Sequence, residues 1–107
     1  MDYELNELKR EFLVEAQEKV RELQAALETV RSRESLERVA YIAHQLKGSG
    51  GSYGYQSIST DAAEIEKAVE AIGDKGAPDP RTEEKIQQHV MNLRVEIERR
   101  SAELATA

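Results

Sequence analysis

The sequence predicts an all-α fold, an antiparallel up-down four-helix bundle, and three observations lead to it. Apolar residues recur every three or four positions through four separate segments, which is the spacing of one face of a helix. No segment of useful length alternates apolar and polar residues with the period that is typical of a strand. The connections are short, which favours antiparallel neighbours. The length of 107 residues is that of a single domain.

The first predicted helix, residues 3–30, has the most regular apolar face. The positions between its apolar residues are mostly Glu, Lys, Arg and Gln, which are good helix formers that solvate the outer face. The apolar positions are Leu5, Leu8, Phe12, Ala16, Val20, Leu23, Leu27 and Val30.

The other three helices are predicted over residues 35–52, 56–72 and 80–104, each with an apolar face of its own. The face of the second helix is formed by Leu36, Val39, Ala40, Ala43 and Leu46. The faces of the third and fourth are formed by Ile58, Ala62, Ile65, Val69 and Ile72, and by Ile86, Val90, Leu93, Ile97 and Leu104.

Residues at the predicted helix ends have suitable capping chemistry. Ser32 and Ser35 are both suitable N-caps for the second helix. Gly73 is typical of a residue that ends a helix, here the third. Asp79 and Pro80 indicate the start of the fourth, because aspartate caps the first turn and proline needs no hydrogen-bond partner there.

Composition excludes several classes of protein. The chain has no cysteine, so it has neither disulfides nor a cysteine-ligated metal site. It has no apolar run of the roughly 20 residues that span a bilayer, and its start lacks the apolar region of a signal peptide. We therefore expect a cytoplasmic protein without a membrane partner. The net charge of −6 argues against a nucleic-acid partner, since phosphate contacts need clustered Lys and Arg.

One stretch departs from the charged character of the chain. Between Val39 and Thr60 the only Lys, Arg, Asp or Glu is Lys47, although 34% of the whole sequence is charged. The same stretch holds His44, three of the four tyrosines and four of the six glycines. A surface with so few charges indicates contact with another macromolecule.

Helical geometry places His44 at the flank of the second helix, about 100° from the centre of its apolar face. Lys47, Gly48 and Gly51 follow it by three, four and seven residues and share its face. An unshielded, near-neutral imidazole is a competent nucleophile, and Lys47 could compensate the charge of a phosphoryl group placed on it. A carboxylate on a neighbouring helix would fix the tautomer, and Glu66 on the third helix is the candidate.

From spacing alone, two simpler interpretations stay open. His44 could be an ordinary surface histidine, and the run from Gly48 to Gly54 could be a flexible loop. Nucleotide binding is disfavoured, because a Walker loop follows a strand and ends in Gly-Lys-Ser/Thr, whereas Lys47 precedes the glycines.

The segment His44-Gln45-Leu46-Lys47-Gly48-Ser49, followed by Gly51 and Gly54, resembles the signature of histidine phosphotransfer (Hpt) domains. That signature is His-x-apolar-Lys-Gly-small-small-Gly, with a further glycine ten positions after the histidine. The run Gly-Ser-Tyr-Gly-Tyr is also similar to one in the phosphotransfer domain of chemotaxis-type kinases. The resemblance covers the second and third helices closely. The first and fourth share with the family only their amphipathic character and length.

The resemblance implies a four-helix bundle whose histidine is phosphorylated on Nε2. Lys47, Gly48 and Gly51 match the family's lysine and small residues. Glu66 occupies the position of a Gln or Glu that often hydrogen-bonds Nδ1 of the histidine. Gly50 departs from the family, where Ser or Ala is common, and we expect a small effect on helix stability and none on chemistry. The family's helical continuity extends the second helix to about residue 52.

The predicted function is that of a phosphocarrier in a two-component phosphorelay. His44 accepts the phosphoryl group, Lys47 compensates charge and Glu66 orients the imidazole. The expected partners are a response-regulator receiver domain and a sensor or hybrid histidine kinase. The chain is expected to lack an ATP-binding or catalytic apparatus of its own and to need no cofactor or metal, because the receiver domain supplies the Mg²⁺. Tyr41, with Gly48 and Gly51, is expected on the receiver docking surface.

Some alternatives stay open at this stage. The chain could be the phosphoacceptor domain of a chemotaxis-like histidine kinase, or a helical scaffolding module in which His44 is incidental. Its start at Met1 and its single-domain length favour a standalone protein, and one four-helix core favours a monomer. Tyr41, Tyr53 and Tyr55 either rim a docking surface or pack at the end of the bundle. His89 is expected to have no function.

Overall fold

The computed structural model describes residues 2–28, 32–73 and 79–106, and these ranges form four α-helices without a strand. The helices are α1 (Asp2–Glu28), α2 (Arg33–Ser52), α3 (Gln56–Ile72) and α4 (Pro80–Thr106). Each of α1 and α3 packs against both α2 and α4, so the four helices surround one core. The all-α class predicted from the apolar periodicity is confirmed. The predicted end of the first helix, with Val30, lies outside the described residues.

Capping side chains explain where two of the helices begin. The Ser32 hydroxyl accepts a hydrogen bond from the Ser35 backbone N–H at 3.1 Å, and the Ser35 hydroxyl accepts one from the Ser32 N–H at 3.0 Å. Both candidate serines therefore belong to one reciprocal capping box, and α2 begins two residues before its predicted start. At α4, Asp79 Oδ1 accepts from the Thr82 N–H at 2.8 Å, which makes Asp79 the cap and Pro80 the first helical residue.

A C-terminal cap that contains glycines ends α2, and the chain continues directly into α3. Tyr55 N–H donates to the Gly50 carbonyl at 2.8 Å, and Gly54 N–H donates to the Gly51 carbonyl at 3.1 Å. Gly54 has φ of +81°, a left-handed conformation that glycine adopts without steric cost. These bonds form a Schellman motif. The glycines from 48 to 51 are therefore helical, and the flexible-loop interpretation of this run is wrong.

The core confirms most of the predicted apolar faces, but it corrects the first one near its start. Leu5 and Leu8 are exposed, and Leu13, which was not in the predicted set, is buried instead. The α2–α3 turn packs against α1 at Phe12, where Tyr53 stacks on the ring with centroids 5.1 Å apart. Phe12 is the first residue of α1 that belongs to the buried core in the described part of the chain, and Leu5 and Leu8 precede it.

The three tyrosines of the uncharged stretch have different positions. Tyr53 and Tyr55 both stack on Phe12, and Tyr55 is buried. Tyr41 is exposed on α2. Two of the three therefore pack at the bundle end, and only Tyr41 remains available to a partner. In the described part of the chain, no helix has the length and apolar character needed to cross a bilayer.

Candidate functional site

His44 projects from the flank of α2, next to the fully buried Ala43. Its side chain is 65% exposed, so the ring lies outside the core, as the helical geometry predicted. Its Nδ1 atom has a partner on α3, whereas Nε2 has no hydrogen-bond partner among the described residues. The ring is therefore held at one nitrogen and open to solvent at the other.

Glu66 on α3 holds both His44 and Lys47 with a single carboxylate. Its Oε2 atom lies 2.9 Å from His44 Nδ1, and its Oε1 atom accepts a hydrogen bond from Lys47 Nζ at 2.8 Å. The Glu66 side chain is only 16% exposed, so much of this contact is shielded from water. The expected approach of Glu66 to the imidazole is present, and Lys47 shares the same acceptor.

The protonation state of Glu66 determines which tautomer His44 adopts. The hydrogen bond from Lys47 holds the pKa of the Glu66 carboxyl below its ordinary value; partial burial opposes this, and the contact with His44 supports it. An ionised carboxylate can only accept hydrogen bonds. In the neutral imidazole, Nδ1 must therefore carry the proton, which leaves the Nε2 lone pair facing solvent.

The glycines near His44 have three different surroundings. Gly48 is exposed, and a Cβ atom added there would meet nothing within 4 Å. At Gly51 an added Cβ would make an ordinary contact with Ser59 Oγ at 3.5 Å. At the buried Gly50 it would lie 3.0 Å from Ile58 Cγ2. The small effect on helix stability and the absence of an effect on chemistry that were expected at this position stay predictions, but a side chain at Gly50 would make a tight contact with α3.

Tyr41 lies one turn before His44 on α2 and is exposed beside it. Its hydroxyl accepts a hydrogen bond from Gln45 Nε2 at 3.1 Å, and the Arg38 guanidinium lies 5.8 Å from its ring centroid. The structure therefore places Tyr41, Gly48 and His44 on accessible surface of the same helix. Gly51 is also exposed, although it faces the start of α3.

Ser59 is a contact residue that the sequence did not single out. Its hydroxyl donates to the Lys47 backbone carbonyl at 2.9 Å and joins the first turn of α3 to α2 beside the site. One signal was available in advance: Ser59 follows the buried Ile58, at the edge of a face that packs against another helix. Nothing in the spacing identified its partner, since that partner is a main-chain carbonyl on another helix.

The second histidine also pairs with a carboxylate. His89 Nδ1 on α4 lies 2.8 Å from Asp61 Oδ1 on α3, and the same oxygen accepts from Asn92 Nδ2 at 3.2 Å. The His89 side chain is only 21% exposed. Among the residues that the structure describes, no three His, Asp or Glu side chains form a group suited to a metal ion.

Comparison with protein families gives a match that covers nearly the whole chain. The model of the Hpt domain family matches residues 7–103. The matched range includes most of α1 and α4, the two helices on which the signature motif carries no information. Comparison with curated proteins and with solved structures gives no significant match.

Proposed function

Since the chain belongs to the Hpt domain family, whose members carry out histidine phosphotransfer in phosphorelays, we propose that it is a phosphocarrier with His44 as its phosphoacceptor. In this proposal His44 Nε2 accepts a phosphoryl group, and the group is exchanged with an aspartate of a receiver domain. Transfer can run from the receiver to His44 or from His44 to the receiver. One observation carries the assignment: the ring is held at Nδ1 by Glu66 and exposed at Nε2.

The transfer step requires little of this chain beyond a positioned lone pair. Nε2 of His44 attacks the phosphorus of the receiver's aspartyl phosphate, the N–P bond forms, and the P–O bond to the aspartate breaks. The aspartate leaves as a carboxylate, and the proton stays on Nδ1, where Glu66 faces the positive charge that develops on the ring. The receiver domain supplies the aspartate and the Mg²⁺.

We assign Lys47 two successive partners. In the structure its ammonium bonds Glu66 Oε1, and this contact helps to keep the carboxylate ionised. The lysine is only half-buried and its four-carbon stem is flexible, so its ammonium can turn toward a phosphoryl oxygen on His44. In this proposal Lys47 compensates the charge of the phosphoryl group only after that group is bound to His44.

Gly48 and Tyr41 are proposed as docking positions for the receiver. An added Cβ at Gly48 would have no neighbour in this chain, so the space beside it is free for another protein. Tyr41 offers an exposed ring one turn from His44. Gly51 leaves less space for the receiver, because a Cβ added there would already contact Ser59.

The proposed bundle runs up and down with antiparallel neighbours. Pairs of contacts support this arrangement, since Lys47 meets Ser59 while His44, earlier in α2, meets Glu66, later in α3. At the other side of the bundle, Arg10 near the start of α1 donates to the Leu104 carbonyl near the end of α4. The cytoplasmic location, the monomeric state and the absence of a nucleic-acid, metal or cofactor partner stay predictions from the sequence.

A phosphorylated receiver domain tests the proposal directly. Receivers from the same organism are loaded with a small-molecule phosphodonor and mixed with the wild-type chain, His44→Gln or His89→Gln. We expect acid-labile, alkali-stable phosphate on the wild-type and His89→Gln chains and none on His44→Gln, with equal helical circular dichroism. If no receiver or kinase of the organism phosphorylates His44, the proposal is wrong and the scaffolding alternative gains support.

The same experiment addresses the kinase-domain alternative. A phosphoacceptor domain of a chemotaxis-like kinase is labelled by the ATP-binding domain of that kinase and passes the group on to receivers. Transfer from a receiver to His44 therefore favours a phosphorelay carrier. Labelling only by an ATP-binding domain favours the kinase domain, with the same histidine as acceptor.

A further inference from the structure

Helices α2 and α3 approach each other unusually closely at Gly50. A Cβ atom built on Gly50 would lie 3.0 Å from Ile58 Cγ2 and 3.3 Å from the Ser59 backbone nitrogen. Ile58 is fully buried, so its methyl group lies among the side chains of the core. The Ser59 nitrogen belongs to the main chain and can move only with the helix. A methyl group at position 50 would therefore require Ile58 or the start of α3 to shift by a few tenths of an ångström.

Two hydrogen bonds hold the helices together at the same place. The Ser59 hydroxyl donates to the Lys47 carbonyl at 2.9 Å, and the Tyr55 N–H donates to the Gly50 carbonyl at 2.8 Å. The first bond joins α3 to the turn of α2 that carries Lys47. The second fixes the start of α3 against the end of α2. The close approach at Gly50 therefore lies at the point where hydrogen bonds also join α2 and α3, which is called the crossing point below.

The crossing point is close enough to the site to control it. His44 precedes Gly50 by six residues and Glu66 follows Ser59 by seven, so both lie about 10 Å from the crossing along their helices. Helices transmit a displacement of this kind over such short distances, because protein interiors are close-packed. The bonds from Glu66 to His44 and Lys47 measure 2.9 and 2.8 Å, and lengthening by a few tenths of an ångström weakens both.

We propose that Gly50 is a positioning residue for the phosphoacceptor. Because Gly50 has no side chain, α3 can approach α2 closely at Ile58 and Ser59. This approach keeps the Glu66 carboxylate within hydrogen-bond reach of His44 and Lys47. The inference rests on the proposed function, because the benefit of that geometry is an Nε2 lone pair ready for transfer. It assigns a role to the position at which this chain departs from the Ser or Ala common in its family.

Gly50→Ala tests the proposal, with Gly51→Ala as the matched control for helix propensity. Both variants add one methyl group to the same stretch of α2, but only at position 50 does it meet a neighbour closer than 3.4 Å. We expect ¹⁵N spectra of the His44 ring to lose Nδ1–H character in Gly50→Ala and to stay unchanged in Gly51→Ala. Phosphotransfer from a receiver to Gly50→Ala should slow on the order of several-fold, since small misplacements reduce rates steeply.

A compensating substitution tests the steric cause. Leucine has no γ2 methyl group, so Ile58→Leu removes the atom nearest to the added Cβ while conserving side-chain volume. The Gly50→Ala, Ile58→Leu double variant should regain part of the His44 spectrum, part of the rate and part of the melting temperature. Ile58→Leu alone provides the baseline for this double-mutant cycle. A double variant no more stable than Gly50→Ala overturns the steric basis, even where the single variant folds poorly.

Failure of this inference is distinguishable from failure of the proposed function. If the wild-type chain is never phosphorylated, the phosphocarrier assignment is wrong, while the spectra still report whether Gly50 positions Glu66. If the wild-type chain is phosphorylated and Gly50→Ala matches it in spectrum and rate, Gly50 only packs the helices. The proposed positioning role is then refuted, with the phosphoacceptor assignment intact.

Discussion

Removing the Glu66 carboxylate should slow phosphoryl transfer without abolishing it. The structure gives this side chain two bonds, one to His44 Nδ1 and one to Lys47 Nζ. Glu66→Ala deletes both acceptors, so His44 is no longer restricted to the tautomer that exposes its lone pair at Nε2. Nucleophile and lysine both remain in Glu66→Ala, which is why we expect reduced transfer and not its loss.

The magnitude follows from the type of bond and from its exposure. A hydrogen bond to a charged group contributes about 1.5–3 kcal/mol. The His44 ring is 65% exposed, so water replaces part of the lost contact and the lower end of that range applies. A loss of about 1.4 kcal/mol in the transition state corresponds to about a tenfold slower transfer. Glu66→Gln keeps an acceptor for Nδ1–H but loses the charge, so its defect should be smaller.

The assay is single-turnover transfer from a phosphorylated receiver domain, followed for the wild-type chain, Glu66→Gln and Glu66→Ala. The ¹⁵N spectrum of His44 gives the tautomer of the imidazole in the same samples. Glu64→Ala provides a control, because Glu64 is a neighbouring α3 carboxylate whose contact is to Lys85 at 3.5 Å. If Glu66→Ala leaves both the rate and the His44 tautomer at wild-type values, Glu66 is only a surface carboxylate and the reasoning is refuted.

Three further predictions concern pH, packing and access. The pKa of Glu66 is lowered in the folded chain, mainly by Lys47, so its contribution to stability is fully present above its ordinary value of 4.5. That contribution is lost as pH falls through the lowered pKa, and denaturation across the acid range should show a weaker pH dependence in Glu66→Gln. Leu13→Ala should lower the free energy of unfolding by about 2–5 kcal/mol, whereas exposed Val14→Ala should change it by less than about 0.5 kcal/mol in denaturant titrations. Gly48→Ala should raise the free energy of unfolding by up to about 1 kcal/mol, because the methyl group meets nothing in this chain. If transfer from the receiver is slower in this more stable variant, the partner lies beside Gly48. An unchanged rate would contradict the docking role.

Apolar periodicity predicted most of the fold because each helix here needs only one buried face. It failed at the start of α1, where Leu5 and Leu8 continue the periodic pattern but are exposed. Periodicity describes which side of a helix is apolar and contains no information on where the neighbouring helices end. The α2–α3 turn packs at Phe12, which is the first α1 residue of the buried core in the described part of the chain, and both leucines precede it.

The site was predictable as far as it lies on one helix. Spacing alone placed His44, Lys47 and Gly48 on a common face and suggested Glu66 as the partner of the imidazole, and the family resemblance agreed with that choice. That one carboxylate bonds both His44 and Lys47 was not predictable, because it depends on the separation of α2 and α3. The role proposed for Gly50 was not predictable for the same reason. The space available to a side chain at this position depends on how closely α3 approaches α2.

Comparing the two histidines tests which property makes a histidine a phosphoacceptor. Each has its Nδ1 atom within 2.9 Å of a carboxylate oxygen on α3, so both rings are held in the same way. They differ in exposure, 65% for His44 against 21% for His89, and only His44 has a glycine within one turn along its helix. If His44 is the phosphoacceptor and His89 is not, orientation by a carboxylate is not sufficient for transfer. An aspartyl phosphate must also reach Nε2, and a receiver domain that labels His44 but leaves His89 unmodified would demonstrate that access selects between them.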